Sequence, residues 1–287
     1  MELIDKAKIL SEALPYFKEF FGKNIVIKYG GSAMIDEKMR ELVVQDIILL
    51  KYVGINPIVI HGGGKGITEM MNKLGKEAVF HNGVRVSDKE TVDIAEMVLT
   101  GQVNKNLVAL IHKHGAKSVG LSGKDGALIQ VKTKEHVNGK SNYGYVGEIV
   151  SVDTKIINVL EESGFIPIIS PIGINEQGET FNVNADDVAY AIASELKSAK
   201  LIFLTDVYGV YENPDDDKSV IPTLNEKRIN ELKEKGIISG GMLPKLQMAL
   251  DTLKQGVEKI HIINGMLEHS ILLEVFTTGG IGTEIVS

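Results

Sequence analysis

Lys28 ends the apolar run "NIVIKYGG" and is followed closely by Gly30 and Gly31, while Lys245 sits in "SGGMLPKLQMAL", again just past a pair of glycines. A lysine in such a place either snorkels from its element or sets its ammonium among anionic oxygens. Glycine suits the second use, because bare backbone lets main-chain N–H groups approach an anion and the helix N-terminus behind adds partial positive charge. The triple glycine Gly62-Gly63-Gly64 repeats the arrangement after a second apolar run, "NPIVIHGGG". One such turn is weak evidence. Two in neighbouring strand–helix units point to a ligand with several anionic oxygens, most simply a polyphosphate.

Three other stretches carry polar chemistry. In "ETFNVNADDVAYAIASEL", Asn184 reads as the N-cap of a helix, which puts Asp186 and Asp187 in its first turn; Asn182 and Asn184 alternate along the extended segment before it. In "HNGVRVSDKE" a turn at Asn82-Gly83 precedes Arg85, with Ser87 and Glu90 spaced as a capping box. The Arg85 guanidinium either forks onto a carboxylate of a small substrate or lies at the surface. "FLTDVYGV" gives a strand, an acidic turn at Asp206 and then Gly209, a place for an adenosine moiety.

Familiar alternatives fail by spacing. Gly64-Lys65 is followed by Gly66 and Gly123-Lys124 by Asp125, so there is no Walker A loop. No G-x-G-x-x-G opens a helix, and H-R-D, D-F-G and H-E-x-x-H do not occur. "HKH" at 112–114 precedes Gly115 and reads as cations at a helix C-terminus; no metal site of protein ligands is expected.

These residues need a scaffold, and the pattern supplies one. "NIVIKYGG", "NPIVIHGGG", "SVGLSG", "FIPIISPIG", "KLIFLTDVYGV" and "EKIHIING" are short apolar runs breaking into turns, most of them separated by helical periodicity. The expected fold is α/β, an open three-layer αβα sandwich around a mostly parallel sheet, with ligands at the carboxyl edge of the strands. "ALIQVKTKEHVNGKSNYGYVGEIVSVD" alternates around Asn138-Gly139 and predicts a projecting hairpin. Residues 4–21 predict an amphipathic helix, kinked by Pro15, that either packs on its own domain or reaches another subunit. A lobe boundary falls near residue 195, giving an N-terminal helix at 1–22 and lobes at 23–195 and 196–287.

Composition agrees with such a fold. Of 287 residues 44% are apolar and 24% charged, and the net charge of −7 argues against an extended nucleic-acid surface. There is no cysteine, and no apolar run nears the roughly 18 residues that cross a bilayer. The N-terminus mixes acids and bases and does not read as a signal peptide, so a cytoplasmic protein without membrane or nucleic-acid partners is expected.

In their order and spacing, "IKYGGSAM", "HGGG", "NGVRVSD", "SGKDG", "FNVNADD", "FLTDVYGV" and "GGMLPK" resemble the amino acid kinase family from about residue 23 to the end. The resemblance implies an N-terminal lobe for an acylated amino acid and a C-terminal lobe for ATP. It implies transfer of the γ-phosphoryl group of ATP, with Mg2+ held mainly by the phosphates, to the side-chain carboxylate of N-acetyl-L-glutamate in arginine biosynthesis. By position, Lys28 and Lys245 would stabilise the moving phosphoryl group and Asp186 would hold the lysines. Gly63, Gly64, Arg85 and Asn182 would bind the acceptor, and Gly30, Gly31, Asp206, Gly209, Tyr211, Ile237, Ile238 and Ser239 the nucleotide. The N-terminal helix is similar to that of arginine-inhibited members that form hexamers, as trimers of dimers; Lys200, Glu274 and Gly282 would then meet the effector, and a signalling protein is a conceivable further partner. Other readings are a kinase for glutamate, aspartate or carbamate on the same fold, and a nucleotide-binding sensor without turnover.

Overall fold

The computed structural model describes residues 3–135, 143–213, 215–238 and 241–287. The apolar runs become strands and the periodic stretches helices, giving a mostly parallel central sheet flanked by helices. The chain falls into two compact units. One comprises residues 1–27, 31–57 and 197–287, the other 28–30 and 58–196. Beside the lobes expected from the sequence, the helix Glu37–Tyr52 and most of the strand Asn24–Tyr29 group with the C-terminal stretch.

In the unit that contains the C-terminus, the strands Lys200–Thr205 and Lys259–Asn264 run parallel in full register, from Lys200 opposite Lys259 to Thr205 opposite Asn264. The strand Thr283–Ile285 pairs antiparallel with the second of these and closes the edge with Thr223–Leu224. Ile202, Leu204, Ile260 and Ile263 are essentially fully buried, each contributing roughly 1.5–3 kcal/mol of apolar burial. The helix Leu3–Phe20 belongs to this unit and divides along its length. Phe17 packs edge-on against Phe276, with ring centroids 5.0 Å apart, and Phe20 is buried, whereas Ile4, Leu10 and Leu14 are exposed.

The other unit contains most of the strand Asn56–His61, from Ile58 on, with the parallel strands Ile166–Ser170 and Ser118–Ser122. It also holds a four-stranded sheet built on the antiparallel pair Ile129–Thr133 and Gly147–Val152, with a bulge at Gln130/Val131. These are the arms of the expected hairpin; its Asn138-Gly139 turn lies outside the described residues. A small hairpin, Phe80–His81 with Val84–Arg85, turns at Asn82 and Gly83, both at positive φ.

The capping box expected at Ser87 and Glu90 does not form. The helix Lys89–Glu96 is capped one residue later by Asp88, whose carboxylate accepts the Thr91 N–H. Ser87 is drawn instead into backbone pairing, donating to Tyr143 O at 2.9 Å and accepting from Tyr145 N at 2.6 Å. Glu90 faces outward and pairs with Lys76. No helix of the described residues is long and apolar enough to cross a membrane.

Candidate active site

Lys28 leaves its strand after three fully buried residues, Ile25, Val26 and Ile27, and its ammonium meets Asp186 Oδ1 at 2.9 Å. The side chain folds back over Gly30, where a Cβ would lie 2.9 Å from Lys28 Nζ. Asp186 is placed by the helix Ala185–Glu195, whose cap is Asn184 as the sequence predicts: its Oδ1 accepts the N–H groups of Asp186 at 2.7 Å and Asp187 at 3.4 Å. Two aspartates in one helical turn thus each recruit a lysine, since Asp187 lies 3.5 Å from Lys134. Burial raises the Asp187 pKa, and the Lys134 charge offsets part of that rise.

The triple glycine closes the wall opposite. Gly62 donates to Tyr29 O at 2.7 Å, and the helix Gly64–Lys73 starts beyond it. A Cβ on Gly63 would come within 2.5 Å of Leu99 Cδ2, so the turn packs closely on the segment Met97–Val103 where a side chain would crowd it. Among the described residues, the N–H groups of Gly63 and Gly64 have no acceptor.

Arg85 comes off the small hairpin with 6% of its surface exposed. Its guanidinium donates to Gly64 O at 2.9 Å and Thr68 Oγ1 at 2.8 Å, and lies 4.6 Å over the Phe80 ring. Burial lowers its pKa, but a guanidinium remains charged at any working pH. It has no carboxylate partner among the described residues. A half-made fork and two free amides facing one space can receive a carboxylate.

That space is a cavity of about 280 Å³, and Lys28, Gly63, Gly64, Arg85, Asn182 and Asp186 all line it. Lys134 lines it as well and was missed from the sequence. Its neighbourhood, a polar run rich in lysine at the end of a hairpin strand, looks no different from a solvated edge. Lys28, Arg85 and Lys134 bring three cations toward two aspartates, a balance that favours an anionic guest.

The remaining expected site residues, apart from Gly30, belong to the other unit. Lys245 is the fourth residue of the helix Met242–Lys254. Asp206 accepts the Ser32 N–H at 2.7 Å; Gly31, at φ +69°, leaves room for that carboxylate, since a Cβ would lie 2.7 Å from its Oδ1. Gly209 is buried, with space for a Cβ blocked at 2.4 Å by Thr283 Oγ1, and the Tyr211 hydroxyl accepts the Tyr208 N–H at 3.1 Å. Ile237 and Ile238 both donate to Leu232 O, the Ile238 side chain is buried, and Ser239 lies outside the described residues.

Lys200, Glu274 and Gly282 meet in a second cavity of about 270 Å³ within this unit, joined by Tyr16, Glu19 and Phe20 of the N-terminal helix. Lys200 Nζ donates to His261 Nε2 at 2.9 Å, and His261 Nδ1 donates to Glu274 Oε1 at 2.6 Å. Burial lowers the pKa of both Lys200 and His261. It works to raise that of Glu274, but hydrogen bonds from His261 and the Ile281 N–H outweigh it and the carboxyl is lowered.

A family model described as "Amino acid kinase family" matches residues 23–264. An acetylglutamate kinase from Methanocaldococcus jannaschii is 48% identical over 99% of this chain and 97% of its own length. An N-acetylglutamate synthase from Neisseria gonorrhoeae, solved with coenzyme A and N-acetyl-glutamate, superposes with a TM-score of 0.85 at 26% identity over 98% of this chain. This chain spans 63% of that synthase's length. The same synthase with coenzyme A and L-arginine gives a TM-score of 0.81 at 26% identity, over 98% of this chain and 65% of that one.

Proposed function

The chain belongs to the amino acid kinase family, and from that premise we propose how its two units divide the phosphorylation of N-acetyl-L-glutamate. The reaction is ATP-dependent transfer of the γ-phosphoryl group to the side-chain carboxylate, giving N-acetyl-L-glutamyl 5-phosphate in arginine biosynthesis. One observation carries the division of labour: among the described residues, a buried Arg85 without a counter-ion and two unengaged glycine amides line the cavity that Lys28 also lines. Arg85 takes the α-carboxylate, Gly63, Gly64 and Asn182 orient the acyl-amino acid, and Lys28, held by Asp186, lies beside the carboxylate that attacks. The nucleotide belongs to the other unit, with Lys245 stabilising the moving phosphoryl group.

The chemistry asks little else of the protein. A carboxylate acceptor with a pKa near about 4.3 is already ionised, so no general base is needed. The barrier is repulsion between anions and charge on the phosphoryl oxygens, which ammonium groups and backbone N–H groups relieve. Among the described residues no three acidic or histidine side chains gather around one point as a cation cage. The proposed donors for Mg2+ are chiefly phosphate oxygens, whose charge the ion would neutralise. Hydroxylamine trapping of the acyl phosphate tests the acceptor. N-acetylglutamate should give hydroxamate with MgATP, and glutamate, aspartate and carbamate should not; preference for any of these three refutes the reading.

The second cavity supports arginine as inhibitor. Lys200 suits an α-carboxylate and Glu274, with Glu19 nearby, suits a guanidinium. The similar synthase was solved with L-arginine. The exposed Ile4, Leu10 and Leu14 on the N-terminal helix suit contact with a second copy, as in a hexamer built from dimers. The setting we propose is the cytoplasm. Deleting residues 1–22 should leave an active, smaller oligomer indifferent to arginine; a deleted chain still hexameric and inhibited contradicts this part.

A further inference from the structure

We infer that His61 is a positioning residue of the acceptor site: its Nδ1–H fixes the Gly62 carbonyl and thereby aims the Gly63 N–H into the cavity, while Asn104 fixes the tautomer of the ring. The inference rests on the acceptor-site reading above.

His61 Nδ1 lies 2.8 Å from Gly62 O, and a carbonyl can only accept, so the proton is on Nδ1. Nε2 is then an acceptor and takes a hydrogen from Asn104 Nδ2 at 3.2 Å. The orientation of the Asn104 amide is settled by its surroundings. Its NH2 group also faces the carbonyls of Ile168 at 2.8 Å and Leu121 at 3.3 Å, and Lys105 Nζ donates to its Oδ1. A flipped amide would set oxygen against oxygen. Both His61 and Asn104 are fully buried. Burial holds the His61 pKa down at about 4, and the ring stays neutral near pH 7.

The consequence for the site is geometric. No peptide bond among the described residues is cis. In a trans peptide the C=O and the following N–H point to opposite sides. Holding the Gly62 carbonyl toward the buried ring therefore turns the Gly63 N–H the other way, where it has no acceptor and where Gly63 lines the cavity. Two local features serve this arrangement. The segment Met97–Val103 is a π-helix, whose extra residue rotates the next helical turn by roughly 100° about the axis and brings Asn104 inward. Gly120 lies beside it with no side chain, because a Cβ would fall 1.8 Å from Asn104 Oδ1.

Two substitutions separate this role from simple core packing. His61→Asn places an amide N–H near the former Nδ1 and keeps the bond to Gly62, whereas His61→Gln reaches toward the former Nε2 and loses it. Both are smaller than histidine, Asn by one more methylene than Gln, so packing loss alone would harm His61→Asn at least as much as His61→Gln and its melting temperature should fall at least as far. His61→Asn should keep KM for N-acetylglutamate within about threefold of wild type, and His61→Gln should raise it about tenfold or more, with KM for MgATP unchanged in both. Equal KM values in the two variants, or a parallel rise for MgATP, overturn the inference. If Arg85→Leu moves KM for N-acetylglutamate and the His61 pair does not split, the acceptor site stands and only the role of His61 falls. A measurement on the unaltered protein stands behind these: its imidazole 15N spectrum should show His61 neutral and protonated at Nδ1 from pH 6 to 8. An Nε2-protonated ring overturns the inference even if neither variant folds.

Discussion

Replacing Arg85 by leucine separates binding from stability. The guanidinium is buried, makes two short hydrogen bonds and has no carboxylate partner among the described residues. If it waits for the α-carboxylate of the acceptor, truncation leaves that carboxylate desolvated and unpaired. Losing one partner of a buried charge pair costs about 2–5 kcal/mol. At about 1.4 kcal/mol per decade this is a rise of roughly 30- to 4,000-fold in KM for N-acetylglutamate. The α-carboxylate does not change during transfer, so kcat should fall far less than kcat/KM. Stability should change far less than affinity. Gly64 O keeps the Thr68 hydroxyl at 3.1 Å, and an apolar side chain removes the cost of a buried charge as well as its hydrogen bonds, so the unfolding free energy from the urea titration should change by no more than about 1.5 kcal/mol. Initial rates at saturating MgATP and a urea titration of the same preparation decide it. A variant that loses more than about 3 kcal/mol of stability while keeping its KM would make Arg85 a core strut and refute the reasoning.

Lys28→Ala and Lys245→Ala should each lower kcat at least about a hundredfold with KM for MgATP little changed, because they act on charge that develops in the transition state; near-normal turnover in both removes the catalytic assignment. Asp186→Asn deletes an anion beside the phosphoryl path, yet kcat should drop, since Lys28 loses its 2.9 Å anchor; a faster variant contradicts the positioning role. Glu274→Gln should raise the arginine concentration needed for half-inhibition at least about tenfold without altering basal rate, as read in the coupled kinase assay. His61 is held at about 4 against an ordinary 6.5, so the unfolded chain binds the extra proton first and stability falls as pH drops through that window. Up to about 3 kcal/mol is at stake, and His61→Asn should lack this component in urea titrations between pH 7 and 4.

What the sequence made legible is what neighbours along the chain decide. Three β-branched residues in "NIVIK" gave the strand, and Asn184 followed by two acids gave the cap and the position of Asp186. The glycine turns were readable because the absence of a side chain is itself the signal. What failed depended on residues far away in sequence. Ser87 and Asp88 are equally good caps locally, and the choice fell to Asp88 because Ser87 pairs with residues 143–145. Lys134 gained its place in the cavity from Asp187, over fifty positions on. His61 and Asn104, forty-three positions apart, carry no local mark of their contact. Nor does anything in composition say that residues 31–57 group with the C-terminal stretch.

An acid beside a site for two anions needs a reason, and the first turn of the helix Ala185–Glu195 supplies one. A lysine on its own would sample many rotamers and meet a dianionic guest in many of them, losing up to about 2 kcal/mol of side-chain entropy when it settled. Asp186 fixes the Lys28 ammonium before the guest arrives, and Asp187 does the same more loosely for Lys134, at 2.9 Å and 3.5 Å respectively. The charge lost to each pairing is part of the cost of that preorganisation. It is moderated because both aspartates sit at a helix N-terminus, where the dipole already favours negative charge. Arg85 needs no such partner: Gly64 O, Thr68 and the Phe80 ring orient its plane without neutralising it. On the proposed reading, the cavity keeps its uncompensated charge where a carboxylate only has to bind, and its compensated charges where groups must be held in place while a bond is made.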